Sequence, residues 1–375
     1  MDMRKNALKV IIAGPFESKG RYKGGIASLL SGVVESKNEF SHYGIDPIVF
    51  DTCRVARNNK TDGKIKIENI VNFVKIYKDI VKTVQKENAD IVYYHSSLGL
   101  ALLKDMLALR HVKRKTSAKV VVHIHAADYE HIMTGISMID KILFKLLIDI
   151  PNCIVFLSSS TSDDFVKRGI PRDKTRVIYN YGRIDHCSPK EIEEKIERPN
   201  NNLNILFVGS VEPMKGIFDL MDALKRINNE YTLHVCGSFI DNNSEIGFKE
   251  KCEQLSTRVV FHGFVSGEEK RSVFLNSDVL VLPSYAEGMP VVILEAYQTG
   301  CAVISTTVGA IPEIVKEENG WLIQPGDVEA LTSKLKEAIA FPGVLRKIQE
   351  HNYIESEKYS VNSFIRQMAD VCNEV

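Results

Sequence analysis

The run VLVLPSYAEGMPVVILEAYQTGCAVISTT, Val279 to Thr307, decides the fold. Its opening, VLVLPS (279–284), is apolar without alternation, the pattern of a strand buried on both faces. Pro290 suits a first helical turn, where no amide partner is lost, and a helix is expected over 290–299. A second unbroken apolar run, AVISTT (302–307), follows. Strand, crossover helix and strand in that order build a parallel sheet with covering helices. The alternation extends both ways. Strands are expected at NILFVG (204–209), YTLHVCG (231–237), VVFHG (259–263) and WLIQ (321–324), with helices at 215–228, 244–255, 267–275, 310–316, 327–340, 343–350 and 353–373.

The first half repeats the scheme. LKVIIAG (8–14), DPIVF (46–50), DIVYYH (90–95), KVVVHIH (119–125), NCIVFLS (152–158) and RVIYN (176–180) read as strands, with helical patterns near 25–37, 65–87, 99–114, 133–149 and 160–168. Between the halves, HCSPKEIEEKIERPNNNL (186–203) breaks the pattern with charge, Pro and Asn, a linker signature. The fold class is therefore α/β, two doubly wound, Rossmann-like parallel-sheet domains. The expected division is 1–185, a linker at 186–203, and 204–352, with a C-terminal helix at about 353–375 packing back on the first domain. Ligands of such pairs are expected between the domains, at the carboxyl ends of the strands.

Composition agrees with this scheme. The chain has 375 residues, more than the ~250–300 at which single cores stop growing. Hydrophobic residues make up 44% and charged ones 26%, which excludes collagen, a coiled coil and a largely disordered chain. No apolar run approaches the ~20 residues needed to span a bilayer, and MDMRKNALKVIIAG is expected to run straight into a strand rather than act as a secretory signal. The seven cysteines show no CxxC or CxH spacing, so neither a disulfide framework nor a zinc site is expected, and the location expected is cytoplasmic.

The zero net charge is a cancellation. Residues 1–185 hold 30 Lys+Arg against 20 Asp+Glu, and the remainder hold 18 against 28. A basic first half suits an anionic partner, such as a phosphorylated substrate or an acidic membrane surface, and peripheral contact at the inner membrane face is expected of it. The densest patch is Arg110-His111-Val112-Lys113-Arg114-Lys115, whose cations would also complement a helix C-terminus. No nucleic-acid partner is indicated.

Gly20-Arg21-Tyr22-Lys23-Gly24-Gly25 lacks the spacing of GxGxxG, which disfavours a dinucleotide dehydrogenase. GxxxxGK[ST], GxSxG, HExxH and DxD are also missing, so no metal is expected to hold a diphosphate, and no cofactor is expected. Amides and cations must serve instead. Gly288 allows close backbone approach, Pro290 suits the first turn of the 290–299 helix, and the free amides of that turn with the helix dipole supply such an anion site. Glu295 lies about 7.5 Å further along the helix axis, where a carboxylate repels a second phosphate but can accept from two vicinal ribose hydroxyls. It is a polar residue in the apolar run VVILEA and needs a partner. Glu287, in the loop before the helix, could bind hydroxyls on the other side of the phosphates.

Glu287 and Glu295, an E-x7-E pair within PSYAEGMPVVILEAYQTGCAVISTTVGAIPEIV, resemble the motif of glycosyltransferase family 4, retaining enzymes of the GT-B fold. FVGSVEPMKGIFDLMDAL (207–224) resembles the family's first C-domain loop, VVFHGFV (259–265) its nucleotide-base loop, NYGRID (180–185) its hinge segment and Gly24-Gly25-Ile26 its Gly-Gly loop. The resemblance implies transfer of a sugar, with retention, from a nucleoside diphosphate sugar to a glycan or lipid-linked saccharide. UDP is favoured and GDP possible as donor base, and the expected setting is surface polysaccharide synthesis by a metal-independent hexosyltransferase. It places Glu295 on the ribose, Glu287 on the donor sugar, and Gly288, Met289 and Val291 on sugar and phosphate. Lys215 falls on the diphosphate, Phe264 and Val265 at the base, and Gly24 and Gly25 among the donor-binding residues. Ser210 stands where the family has a diphosphate arginine, and Arg21 or Lys23 are candidates to compensate. His125 matches the histidine facing the donor sugar; with Glu287 and Lys215 it completes the expected catalytic set. His123 shares its strand face by alternation, so one of the two is expected to be structural. His95, Asp128 and Glu130 are the acceptor candidates. Asp185 reads as hinge structure and Trp321 as core packing. A sugar-nucleotide epimerase and a non-catalytic glycan- or nucleotide-binding relative are the alternatives.

Overall fold

The computed structural model describes residues 7–16, 25–53, 67–125, 138–185, 187–198, 202–255 and 258–375. The chain divides into two compact units. One comprises 1–180 with 361–375, the other Tyr181–Ser360.

In the first unit β1 (Leu8–Gly14), β2 (Ile45–Asp51), β3 (Ile91–Ser96), β4 (Lys119–Ile124), β5 (Cys153–Phe156) and β6 (Thr175–Val177) form one parallel sheet in the order β2-β1-β3-β4-β5-β6. The helices between them are α1 (Gly25–Glu35), α2 (Ile67–Glu87), α3 (Leu100–Lys115), α4 (Met138–Asp149) and α5 (Ser159–Lys167). Every residue of β3 is buried, as its unbroken apolar and aromatic run requires. Strand order reverses between β1 and β3. β5 and β6 are shorter than the expected 152–158 and 176–180; β5 stops where Ser158 leaves the sheet to cap α5, accepting from the Thr161 amide at 3.1 Å.

The second unit holds α6 (Pro189–Ile196), then β7 (Leu203–Val208), α7 (Ile217–Leu224), β8 (Tyr231–Cys236), α8 (Asn242–Glu253), β9 (Arg258–Gly263), α9 (Gly267–Leu275), β10 (Val279–Leu282), α10 (Val291–Gln298), β11 (Ala302–Thr306), α11 (Ile311–Ile314), β12 (Gly320–Ile323), α12 (Val328–Ala340) and α13 (Pro342–Glu355). Its sheet is parallel throughout, in the order β12-β11-β10-β7-β8-β9, and reverses between β7 and β10. The loops after those two strands flank the switch point, where open α/β sheets take ligands.

Three sequence expectations change. Residues 186–203, expected to be a linker, contain α6, opened by a capping box between Ser188 and Glu191 and packed through Cys187, Ile192 and Ile196. Lys195, 4% exposed, donates to the Phe274 and Thr299 carbonyls at 3.2 and 2.7 Å, at the carboxyl ends of α9 and α10. The charge that suggested a linker includes this buried capping cation. The expected helix 353–373 is instead the end of α13, a 3-10 turn at Ser356–Tyr359 and a separate α14 (Val361–Glu374), which belongs to the first unit. The expected helix 215–228 begins only at 217, because Gly216 is left-handed (φ +69°) and ends a preceding 3-10 turn at Pro213–Lys215.

Candidate functional site

The loops leaving the second sheet at the carboxyl ends of β7, β8, β9, β10 and β11 are tied together through their backbones. Gly209 donates to Cys236 O at 3.0 Å, Gly237 to Gly263 O at 2.7 Å, Tyr285 to Met214 O at 3.0 Å and Ala310 to Gly288 O at 2.8 Å. Two glycines make the contacts possible. A Cβ at Gly216 would fall 2.1 Å from Pro283 O, and one at Gly309 (φ +56°) 1.9 Å from Glu287 O. Backbone packed on backbone fixes the 283–290 loop as a rigid ledge.

Glu287 projects from that ledge and is 8% exposed. Its Oε1 accepts from Lys215 Nζ at 2.7 Å and from Ser284 Oγ at 2.8 Å. The 3-10 turn that ends at Lys215 therefore delivers a cation to the β10 loop. Three residues on, α10 starts after Pro290 with no side chain capping it, so its first amides and dipole face outward as an anion site. Met289 (5% exposed) packs under the ledge, and Gly288 and Val291 are partly buried.

Glu295, in the middle of α10, is 1% exposed. Lys270 of α9 places Nζ 2.6 Å from each carboxylate oxygen. The ammonium thus pairs with both oxygens of the buried carboxylate. The required partner is thus Lys270, which sequence reasoning did not find; the only signal was that a buried carboxylate must have one. Lys270 Nζ also lies 5.9 Å from the Phe274 ring centroid. At the β9 loop, Val265 is buried and Phe264 is 63% exposed. Ser210 bonds through its hydroxyl to Glu212, so the position where the family has an arginine carries a neutral group already engaged by an acid.

Gly182 packs on this unit as well. It accepts from Gln298 Nε2 at 3.0 Å, and a Cβ there would lie 2.3 Å from Gln298 Oε1, so a larger residue would displace the Gln298 side chain. Asp185 is exposed and presents its carbonyl to Cys187 Sγ. Trp321 packs on the core and donates from Nε1 to Glu337 at 3.0 Å.

In the first unit, the carboxyl ends of β3 and β4 bring together three histidines. Alternation puts Tyr93 and His95 on one face of β3, and His123 and His125 on the same face of β4. His95, His123 and His125 are 2%, 0% and 8% exposed. His95 Nδ1 lies 2.9 Å from His125 Nε2, and Tyr93 Oη lies 3.3 Å from His123 Nδ1. Burial pushes the His125 ring down to about 3 and holds His95 and His123 well below the ordinary value. All three are neutral imidazoles at neutral pH. On the opposite face, Tyr94 and Ser96 donate to Asp105 at 2.9 and 2.7 Å, and burial raises that carboxyl. Gly25 opens α1 with nothing within 4 Å of a Cβ built on it, so packing does not require glycine there. Gly24, Arg21, Lys23, Asp128 and Glu130 lie outside the described residues.

Two six-stranded parallel sheets wound on both faces by helices, one bearing a buried carboxylate pair around an uncapped helix start, are the architecture of the GT-B glycosyltransferases. Comparison with known proteins agrees. The description "Glycosyltransferase Family 4" matches residues 64–181, and "Glycosyl transferases group 1" matches 188–355. Together these cover most of the chain, which belongs to glycosyltransferase family 4. An uncharacterised 41.2 kDa protein in the cps region of Klebsiella pneumoniae is 27% identical over 305 residues, 79% of this chain and 81% of its own. The putative colanic acid biosynthesis glycosyltransferase WcaL of Escherichia coli is 28% identical over 45% of this chain and 43% of its own. Among solved structures, Anabaena HepE in complex with UDP superposes with a TM-score of 0.72 at 19% identity, covering 98% of this chain and all of HepE. It shares the fold.

Proposed function

We propose that the protein is a retaining glycosyltransferase that takes a hexose from a nucleoside diphosphate sugar, UDP before GDP, and passes it to a glycan or lipid-linked saccharide in surface polysaccharide assembly. The observation that carries this reading is Glu295, a carboxylate 1% exposed and paired with Lys270, set inside the helix whose bare N-terminus faces the ligand end of the sheet. A ribose diol donates to that carboxylate beside Lys270 while the diphosphate meets the first α10 amides and Lys215. Glu287 then binds hydroxyls of the donor sugar, with Ser284 holding its rotamer. HepE has been crystallised with UDP and with UDP-glucose, and WcaL is named for colanic acid biosynthesis; both support the donor and the setting proposed here.

Retention by double displacement needs a carboxylate about 5–5.5 Å from an acid across the scissile bond. No residue assigned here is a nucleophile, so the reading is a front-face path in which the departing phosphate oxygen takes the acceptor proton. Rate then derives from positioning and from charge stabilisation of the leaving diphosphate by Lys215 and the α10 amides, without a metal at the diphosphate. The family resemblance assigns His125 to the donor sugar and His95 to the acceptor. The test is a panel of UDP- and GDP-sugars with lipid-linked and glycan acceptors, scored by released nucleoside diphosphate and by the anomeric configuration of the product. In parallel, Glu295→Ala should weaken UDP binding by about 1.5–3 kcal/mol, the scale of hydrogen bonds to a charged group. Unchanged affinity in the folded variant refutes the ribose assignment.

A further inference from the structure

We propose that Asp105 is a positioning residue of the transfer reaction, setting from behind the first sheet the two histidines, His95 and His125, that the proposed function gives to acceptor and donor sugar. The inference rests on that reading for the role of the histidines, and on contacts within the first unit for the role of Asp105. Asp105 stands in the second turn of α3 and is 6% exposed. Its Oδ1 accepts from Tyr94 Oη at 2.9 Å and its Oδ2 from Ser96 Oγ at 2.7 Å. Tyr94 and Ser96 are the two neighbours of His95 in β3. Successive side chains of a strand point to opposite faces, so an acid that grips residues 94 and 96 from behind fixes the Cα between them and the direction in which the His95 ring leaves it. The hold reaches the next strand as well, since the Ser96 carbonyl accepts from the His125 amide at 2.8 Å. His95 Nδ1 and His125 Nε2, 2.9 Å apart, thus meet across a strand end that one carboxylate anchors.

Packing alone does not call for an acid here. The layer between β3 and α3 is apolar, with Val92, Leu102, Met106 and Leu109 in one buried cluster with Tyr94. A fully apolar version of the trio 94, 96 and 105 would fill that layer without desolvating a charge, and replacing every partner of a buried polar contact by apolar groups is close to neutral for stability. Burial raises the Asp105 carboxyl, while Lys104 Nζ, partly exposed and 3.5 Å from Oδ1, draws it back toward the charged form. What the acid adds is direction. A hydroxyl bonded to a carboxylate is held short and oriented. The other acceptor near Ser96 Oγ, the Ser97 carbonyl at 3.1 Å, belongs to the loop leaving β3 and ties the hydroxyl only to its own neighbour.

The decisive variant is the triple Tyr94→Phe, Ser96→Ala, Asp105→Leu, which strands no polar group and should melt near wild type. In full-length protein labelled with 15N-histidine, the His95 and His125 signals are assigned from His95→Asn and His125→Asn. The triple variant should shift both ring signals and leave those of His234, His262 and His351 in the second unit in place. With the donor and acceptor that the panel identifies, kcat should fall about 10–100-fold, the loss from a reacting geometry set about 1 Å wrong, while UDP affinity stays within about twofold. Asp105→Asn keeps one carbonyl oxygen for a strand hydroxyl and should lose less. A triple variant that folds and keeps wild-type kcat, or whose His95 and His125 signals do not move, overturns the proposal. If the triple variant does not fold, Asp105→Asn carries the same two measurements, and unmoved signals there overturn it equally. Full turnover in both His95→Asn and His125→Asn removes the histidines from the reaction and Asp105 with them. Wild type inert toward every donor sinks the transferase reading itself, and the ring signals, which need no turnover, keep that failure apart from a failure of Asp105 to set the rings.

Discussion

Lys270→Met should destabilise the second unit, and the structure fixes the scale. Glu295 is 1% exposed and Lys270 is the cation against it, with Nζ 2.6 Å from both oxygens. Removing one partner of a buried pair leaves an uncompensated charge, which costs about 3–5 kcal/mol. Lys270 itself is 22% exposed, so water reaches the pair and the lower end, about 3 kcal/mol, is expected. In a unit spanning Tyr181–Ser360, each kcal/mol moves Tm by about 2–4 °C, giving a drop of about 6–12 °C. Trp321 is the single tryptophan and lies in this unit, so its fluorescence during urea unfolding reports this unit. The double variant Lys270→Met, Glu295→Gln should recover most of the loss, because no buried charge remains. Saturating UDP should also protect the single variant more than wild type, since the ribose replaces the missing donor. A single-variant loss under about 0.5 kcal/mol, the level of an ordinary surface change, would refute the claim that this pair is desolvated and that Glu295 waits for hydroxyls.

Three further outcomes are expected. The buried histidines stay neutral in the fold while unfolded rings protonate near ~6.5, so the native state binds fewer protons and stability rises with pH; it should be full above about pH 6.5 and decline steadily below it, by ~2 kcal/mol for His125 at about pH 5. A calorimetric profile flat over that range, or one that rises on acidification, contradicts this. Lys215→Ala should lose donor turnover in steady-state kinetics because Ser210 supplies no second cation, and Ser210→Arg should tighten UDP; full activity in Lys215→Ala places the diphosphate elsewhere. Arg110, Lys113, Arg114 and Lys115 are exposed on the last two turns of α3, and charge reversal there should abolish sedimentation with anionic vesicles, at about 1 kcal/mol per cation. Wild type that never sediments ends the idea of a membrane contact through this patch.

No helix among the described residues is long and apolar enough to cross a membrane, which is why such a patch is the feature to test. Lys113 has a second use, donating to the Ile150 and Asp149 carbonyls at 2.7 and 3.2 Å at the end of α4.

The sheets were legible because unbroken apolar runs have one common explanation, a strand covered on both faces, and most expected strands form within a residue or two. Boundaries set by tertiary contact were not legible. Gly216 stops a helical pattern only because Pro283, distant in sequence, lies against it. The segment 186–203 reads as solvated charge until Lys195 is seen among the carbonyls that end α9 and α10. At the site, Glu287, Glu295 and Lys215 could be found from spacing and resemblance, since loop and helix carry them in one short stretch or one family motif. Lys270 could not, because nothing in GEEKRSVFL distinguishes a lysine that turns inward from its charged neighbours. The histidine trio joins residues 28 and 30 positions apart, and only the β3–β4 register shows that they meet.

The placement of α14 has a consequence for synthesis on the ribosome. The chain leaves the first unit after Asn180, builds the whole second unit, and returns at Val361. Phe364, Ile365, Met368 and Val371 of the returning helix are buried, Phe364 beneath His123, and Glu374 pairs with Arg176 at 2.8 Å. Burying four such side chains contributes about 6–12 kcal/mol, the size of a domain's entire stability. The segment made first therefore has its core completed last, and until residues 361–374 emerge it presents an apolar face, histidines included, to chaperones and proteases. A released chain ending at Ser360 should carry a protease-resistant second unit beside a cleavable first one, the reverse of the usual N-to-C order of domain maturation.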